Sequence, residues 1–283
     1  MNTSSGSAAS EAYGRHPMSF LSSHIQRLLT ALVLLPLLAW AIASGPVVIG
    51  LLVGLVSVFG LWEFYSFFWP DHPLRKAGGI VLGGLVIAWQ AASPNPAALP
   101  FLLALWAGNL FFLTQYARDA ESAQPADGMI FSIGLMYIPG VLQLFIHLHP
   151  LEIVLVLLAT FASDTGAYYA GCWWGRRKVW PVISPKKTWM GSMGGLGLCI
   201  TLSLVLGLAF GDAAWYHWIW VGAVLNIAAQ FGDFFESALK RKLQIKDSGR
   251  LLPGHGGLLD RIDSLLLVLP VYAAVTIFLP LFL

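Results

Sequence analysis

The chain is 283 residues long, 57% hydrophobic and only 11% charged. A soluble globular domain carries about 25% charged residues, so this composition, with its 12 Trp and 17 Phe, excludes an ordinary soluble fold and points to an all-α polytopic membrane protein. The net charge of +2 is close to neutral although its distribution is not, and no nucleic-acid partner is expected. The two cysteines, Cys172 and Cys199, lie in or beside apolar segments with no CxxC pair and no His-rich tract, so they read as small packing residues and not as a disulfide or zinc site.

Residues 1–25 are polar and rich in Ser, Ala and Gly, the composition of a tail or a surface-lying arm. The first apolar run, 28–44, has Arg27 before it and Ala41-Ile-Ala43 at its end, flanks that a cleaved leader also shows. A retained span is the simpler reading, because many spans follow. Further apolar runs occupy approximately 47–69, 77–93, 98–116, 129–147, 151–174, 189–211, 214–240 and 259–283. Each has about 17 to 25 residues, enough to cross roughly 30 Å of hydrocarbon. About nine transmembrane helices are therefore expected in one integral membrane domain, 26–283, with N-terminal helices over 26–150 and a catalytic half over 151–283. The 77–93 run is the weakest, being short and interrupted by Gly78, Gly79, Gly83 and Gly84. The Gly191-to-Gly197 stretch reads as a close packing face.

Nine spans put the tail and the loops near 70–76, 117–128, 175–188 and 241–258 on one side. All 16 Lys and Arg fall there or at the span ends facing it, while the opposite loops hold only Glu152 and Asp212 as charges. The positive-inside rule then predicts a cytoplasmic N-terminus and an outside C-terminus.

Six acids lie within these spans or at their ends: Glu63, Asp164, Asp233, Glu236, Asp260 and Asp263. An ionised carboxylate in lipid costs roughly a few kcal/mol, so each needs a partner, a wet cavity or a proton. Asp164 lies about ten residues before the basic end of its span, roughly 15 Å deep at 1.5 Å per residue. Asp233 and Glu236 are three apart and share a helix face with Ser237, and Asp260 and Asp263 repeat that spacing. A cavity lined by Asp164, Asp233, Asp260 and Asp263 and open to the basic side suits Mg²⁺, which takes one or two carboxylates plus substrate phosphates. The competing reading is that each acid pairs with Lys or Arg to lock helices together. Glu63, beside Trp62, Tyr65 and Trp69, is read as an interfacial structural residue. His147, His149 and His217, at the opposite span ends, are read as interfacial too.

Two basic loops face this cavity. In 175–188, Arg176, Arg177 and Lys178 read as a positive-inside signal, whereas Ser184-Pro-Lys186-Lys187-Thr188 precedes a helix start, a favourable place for anions. In 246–258, Gly254, Gly256 and Gly257 permit close backbone approach to a ligand, with His255 between them. Neither GxxxxGKS nor a strand-linked GxGxxG is present, so a standard nucleotide fold is not expected.

The stretch Ser237 to Asp263, with Lys240-Arg241, Lys246-Asp247-Ser-Gly249, Leu252-Pro-Gly-His255-Gly256-Gly257 and Asp260-Arg261-Ile-Asp263, closely resembles the signature of the phosphatidate cytidylyltransferases, or CDP-diacylglycerol synthases. Ser163-Asp164-Thr-Gly166-Ala-Tyr168 with Ser184-Pro-Lys-Lys187-Thr188-Trp189 and Gly191 is similar to a second block of that family, and Gly232-Asp233-Phe-Phe-Glu236-Ser237 to a third. Met190 stands where members often have Glu or Gln, so no role is carried to it. The resemblance implies transfer of a cytidylyl group from CTP to phosphatidic acid, giving CDP-diacylglycerol and pyrophosphate for phospholipid synthesis in a bacterial inner membrane. It implies Mg²⁺ on Asp233 and Asp260, with Asp263 and Asp164 as further ligands or as groups that orient them. Ser184, Lys186, Lys187, Thr188, Ser237, Lys240, Arg241, Lys246, Asp247, Gly256, Gly257 and Arg261 are the implied substrate contacts. His255 would orient the pyrophosphate or supply a proton. A second cation such as K⁺ and a homodimer are implied in the same way. The alternative is a CTP-dependent polyprenol or dolichol-type lipid kinase.

Overall fold

The structure is a computed structural model that describes residues 36–93, 99–249 and 256–282. The N-terminal tail, Arg250 and His255 lie outside the described residues. Among those described, the regular structure is helical: α1 (36–44), α2 (Pro46–Phe68), α3 (Pro73–Ala92), α4 (Leu99–Arg118), α5 (Pro125–Tyr137), α6 (Pro139–Leu142) with a 3-10 turn over Gln143–His147, α7 (Pro150–Trp174), α8 (Trp189–Phe210), α9 (Trp215–Lys242) and α10 (Leu259–Phe278). Proline opens α2, α3, α5, α6 and α7, where its fixed φ suits the helix and its missing N–H costs nothing.

Among the described residues, seven stretches are long and apolar enough to cross a membrane: α2, α4, the broken Pro125–His147 run, α7, α8, α9 and α10. That is two fewer than the nine expected. The 77–93 run does form helix, but α3 begins four residues earlier than its apolar run would suggest and takes Arg75 and Lys76 into its first turn. The 28–44 run begins outside the described residues. The 129–147 run is one membrane-length segment but not one helix, because Pro139 interrupts it after Ile138.

Two features of the packing position the site. The first is the seam between α7 and α8. A Cβ at Gly195 would come within 2.7 Å of the Ser163 carbonyl, and one at Gly191 within 2.7 Å of the Ala167 carbonyl. The absence of side chains lets the two backbones touch, as the glycine pattern suggested, and it holds Ser163 and Asp164 against the start of α8. The second is the gathering of basic loops at one end of the bundle. Arg75 Nη1 lies 2.9 Å from Asp127 Oδ2, tying the start of α3 to the start of α5. Lys187, just before α8, pairs with Asp233 on α9. Glu63, near the same end of α2, bonds residues flanking the start of α10. At the opposite end Tyr272 Oη donates to Glu152 Oε1 at 3.0 Å, and His149 with Glu152 forms a capping box on α7. Both cysteines are free thiols, Cys172 exposed and Cys199 buried.

Candidate active site

The loop before α8 is shaped by its own backbone. Lys178 and Thr188 pair as an antiparallel bridge, Trp189 N–H donates to the Arg177 carbonyl at 3.0 Å, and Ser184 N–H to the Trp180 carbonyl at 2.9 Å. Thr188 is buried, and its hydroxyl oxygen accepts from Gly191 N–H at 3.1 Å, capping α8. Trp180 packs edge-on against Phe234 of α9, with ring centroids 4.7 Å apart. This anchor brings the lysines of the loop over α9. Lys187 Nζ sits 4.4 Å above the Phe234 ring and forms the ion pair with Asp233.

Below these lysines lies a cavity of about 480 Å³ between α7, α8 and α9. Asp164, Asp233, Lys178, Lys186, Lys187 and Thr188 are among its lining residues. Asp164, deep in its span by sequence, therefore faces an open cavity and not packed helix. Ser237 Oγ lies 3.3 Å from Asp233 Oδ1, and Gln230 in the same wall donates to the Ser192 carbonyl at 3.1 Å.

A second carboxylate group begins one turn further along α9. Asp260 Oδ1 takes Lys240 Nζ at 2.5 Å. Its Oδ2 accepts from Ser248 N–H at 2.9 Å and Gly257 N–H at 3.0 Å, and lies 3.0 Å from Ser248 Oγ. Lys240 Nζ also stands 3.3 Å from Glu236 Oε1, on a side chain that is 2% exposed. Asp263 accepts from Ser264 N–H at 2.6 Å and is within electrostatic reach of Asp233, Glu236 and Lys240. Asp164 is in turn within reach of Asp233, Asp263, Lys187 and Arg261. Asp164, Asp233 and Asp263 thus share one field across three helices, and Asp260 joins them through Lys240. Gly256 adopts φ +82°, a backbone conformation that favours glycine, and an added Cβ there would lie 3.1 Å from Asp260 Oδ2. Arg241, Lys246, Asp247 and Arg261 are exposed and are not among the residues lining the cavity.

Asp233 and Asp260 each already hold a lysine ammonium. Among the described residues no group of three or more His, Cys, Asp or Glu is assembled as a closed metal cage. Carboxylate oxygens are the donor type a hard cation takes, and Mg²⁺ needs only one or two of them beside substrate phosphates, but at Asp233 and Asp260 a lysine ammonium holds the place such a cation would take.

Glu63 is a buried structural residue and not a surface one. It is 5% exposed, and Leu258 N–H and Leu259 N–H donate to its two oxygens at 3.0 and 2.8 Å, with Ser248 Oγ 2.9 Å from Oε2. Its neighbours Tyr65 and Trp69 are buried as well, and only Trp62 faces outward. No local signal around Glu63 points to partners 185 to 196 positions away.

The family model described as the cytidylyltransferase family matches residues 25–279. The chain belongs to the cytidylyltransferase family. The match takes in α2 to α10, so the N-terminal helices are part of the family's body as well as the signature half. This cytidylyltransferase is 31% identical over 278 residues, 88% of its length and 96% of the relative's, to a protein of Haemophilus influenzae named phosphatidate cytidylyltransferase. Relatives of the same name in Staphylococcus saprophyticus and Staphylococcus aureus are 43% identical over 140 residues and 47% over 120, covering 49% and 42% of this chain and 52% and 46% of theirs.

Proposed function

We propose that this cytidylyltransferase joins CTP to phosphatidic acid, forming CDP-diacylglycerol and releasing pyrophosphate. The observation that carries this reading is the cavity in which two acids, Asp164 and Asp233, face three lysines, Lys178, Lys186 and Lys187, at the basic end of an apolar bundle. Such a site can hold polyanions while leaving diacyl tails in the lipid.

In the reaction a phosphate oxygen of phosphatidic acid attacks the α-phosphorus of CTP, a new P–O bond forms, and the bond from the α-phosphorus to the bridging oxygen of the pyrophosphate breaks. The nucleophile is already anionic at neutral pH, so no strong general base is required. The difficulty is to bring two polyanions into line and to stabilise the charge that collects on the leaving group. Lys186 and Lys187, and Lys240 at the neighbouring acid group, supply positive charge there. Asp233 and Asp260 would hold Mg²⁺, which when bound neutralises phosphate charge on the attacked and leaving groups. Asp263 and Asp164 keep these two acids in a shared field. The exposed Arg241, Lys246 and Arg261 guide anions inward.

On the resemblance and on the gathering of basic loops, the reading includes a cytoplasm-facing site in a bacterial plasma membrane, a cytoplasmic N-terminus, a homodimer, and room for a second cation such as K⁺. The test is a purified-enzyme assay with phosphatidic acid, Mg²⁺ and CTP labelled either in the cytidine or at the γ-phosphate. Cytidine label in the extracted lipid is the expected result. Transfer of γ-label to the lipid, without cytidine, would instead mark a lipid kinase.

A further inference from the structure

The first amides of a helix that follows a glycine-rich turn are a natural seat for a phosphate. The start of α10 has that composition, yet its amides are taken by a protein carboxylate. Leu258 and Leu259 donate to the two oxygens of Glu63, and α10 has no side-chain cap of its own at Leu258. Glu63 therefore caps α10 from α2, in the half of the chain to which the signature motifs assign nothing. The fit depends on bare backbone around it: an added Cβ on Gly257 would lie 2.6 Å from Glu63 Oε2, and one on Gly249 2.8 Å from its Cδ.

One of the atoms that bind Glu63 also binds Asp260. Ser248 Oγ lies 2.9 Å from Glu63 Oε2 and 3.0 Å from Asp260 Oδ2. Ser248 N–H and Gly257 N–H both donate to that Asp260 oxygen. The backbone whose amides fix Asp260 is thus itself held by Glu63. Asp260 in turn fixes Lys240, which makes its shortest contact there.

We infer that Glu63 is a positioning residue for cytidylyl transfer. It holds Ser248 and the start of α10 so that Asp260 and Lys240 stand in working geometry, and it reserves the helix-start amides so that substrate phosphates are left to the lysines. The inference rests on the functional reading above.

The test uses the full chain purified in detergent, with Glu63→Gln, Glu63→Asp, Glu63→Ala and Ser248→Ala. Glutamine preserves size but loses the charge and turns an N–H toward N–H donors. Glu63→Gln is expected to lower kcat by roughly ten- to a hundredfold with the KM for CTP within about threefold of wild type. Glu63→Asp, which keeps the charge, is expected to recover about tenfold over Glu63→Ala, and Ser248→Ala to fall in the same direction as Glu63→Gln. Hydrogen exchange should quicken at Leu258 and Leu259 in Glu63→Gln while the later turns of α10 keep their protection. Wild-type kcat in Glu63→Gln, no recovery with aspartate, or loss of protection along all of α10 would each overturn the assignment. A wild-type enzyme that makes no CDP-diacylglycerol in the same assay overturns the functional reading and this inference with it. Turnover by wild type matched by Glu63→Gln overturns this inference alone.

Discussion

Lys187 and Lys240 do opposite work from that of lysines on an ordinary surface. Each makes an ion pair with an acid of the signature, and each is partly shielded, so the charge is held in place instead of sampling solvent. Lys186 differs: it is exposed on the same cavity wall, with its carbonyl accepting from Lys178 Nζ at 3.4 Å. It is the lysine most available to an arriving phosphate. Lys186→Ala is expected to raise the KM for CTP or phosphatidic acid by about tenfold, the worth of one charge-assisted hydrogen bond, with kcat little altered. Steady-state kinetics with each substrate varied in turn checks it, and unchanged KM for both would return Lys186 to the role of a topology signal. At this scale the sequence was informative where residues act through neighbours three or four apart, as Asp233 and Ser237 do. It was silent on the partners of Glu63, because they are set by how α2 packs against α10, which nothing near Glu63 encodes.

The element that most constrains the site is the α7–α8 pair. Their backbones meet through Gly166, Gly191, Gly194 and Gly195, and this contact presents Asp164 to the same space as the lysines that precede α8. Gly195→Leu would wedge the helices apart, at a cost of roughly 1–3 kcal/mol for overpacking. The expected result is a lowered midpoint of thermal unfolding and a matching loss of activity, whereas the same change at Gly197, which has open space around it, should leave both near wild type. Thermal unfolding followed by tryptophan fluorescence separates the two. The glycine seam was legible in the sequence because small residues at helical spacing have few other uses in lipid. The break at Pro139 was less so, since apolarity continues unbroken through it and masks the change from α5 to α6 and the 3-10 turn. Helix α3 shows the converse: it is regular helix, but glycines and two basic residues keep it below the apolarity of a clear span.

In the molecule as a whole, the starts of α3, α5, α8 and α10 and the ends of α2 and α9 share one end of the bundle. That grouping was readable from charge alone, since a single miscounted span in the middle would have divided the basic loops between two ends. The sequence could not show that the two basic loops serve distinct acids. The 175–188 loop serves Asp233 through Lys187, and Ser248 and Gly257 serve Asp260. Asp263 and Glu236 lie between these groups and keep them in one field. The arrangement makes a mouth where a water-borne nucleotide and a membrane-held phosphate can meet, with Asp233 paired to Lys187 on its wall. The most direct measurement is the turnover of purified Asp233→Asn with CTP, phosphatidic acid and saturating Mg²⁺, beside wild type and with monodispersity as the control for folding. A loss of at least about a hundredfold in kcat from a well-folded variant is the expected result; a rate near that of wild type would contradict the assignment of this cavity as the place of cytidylyl transfer.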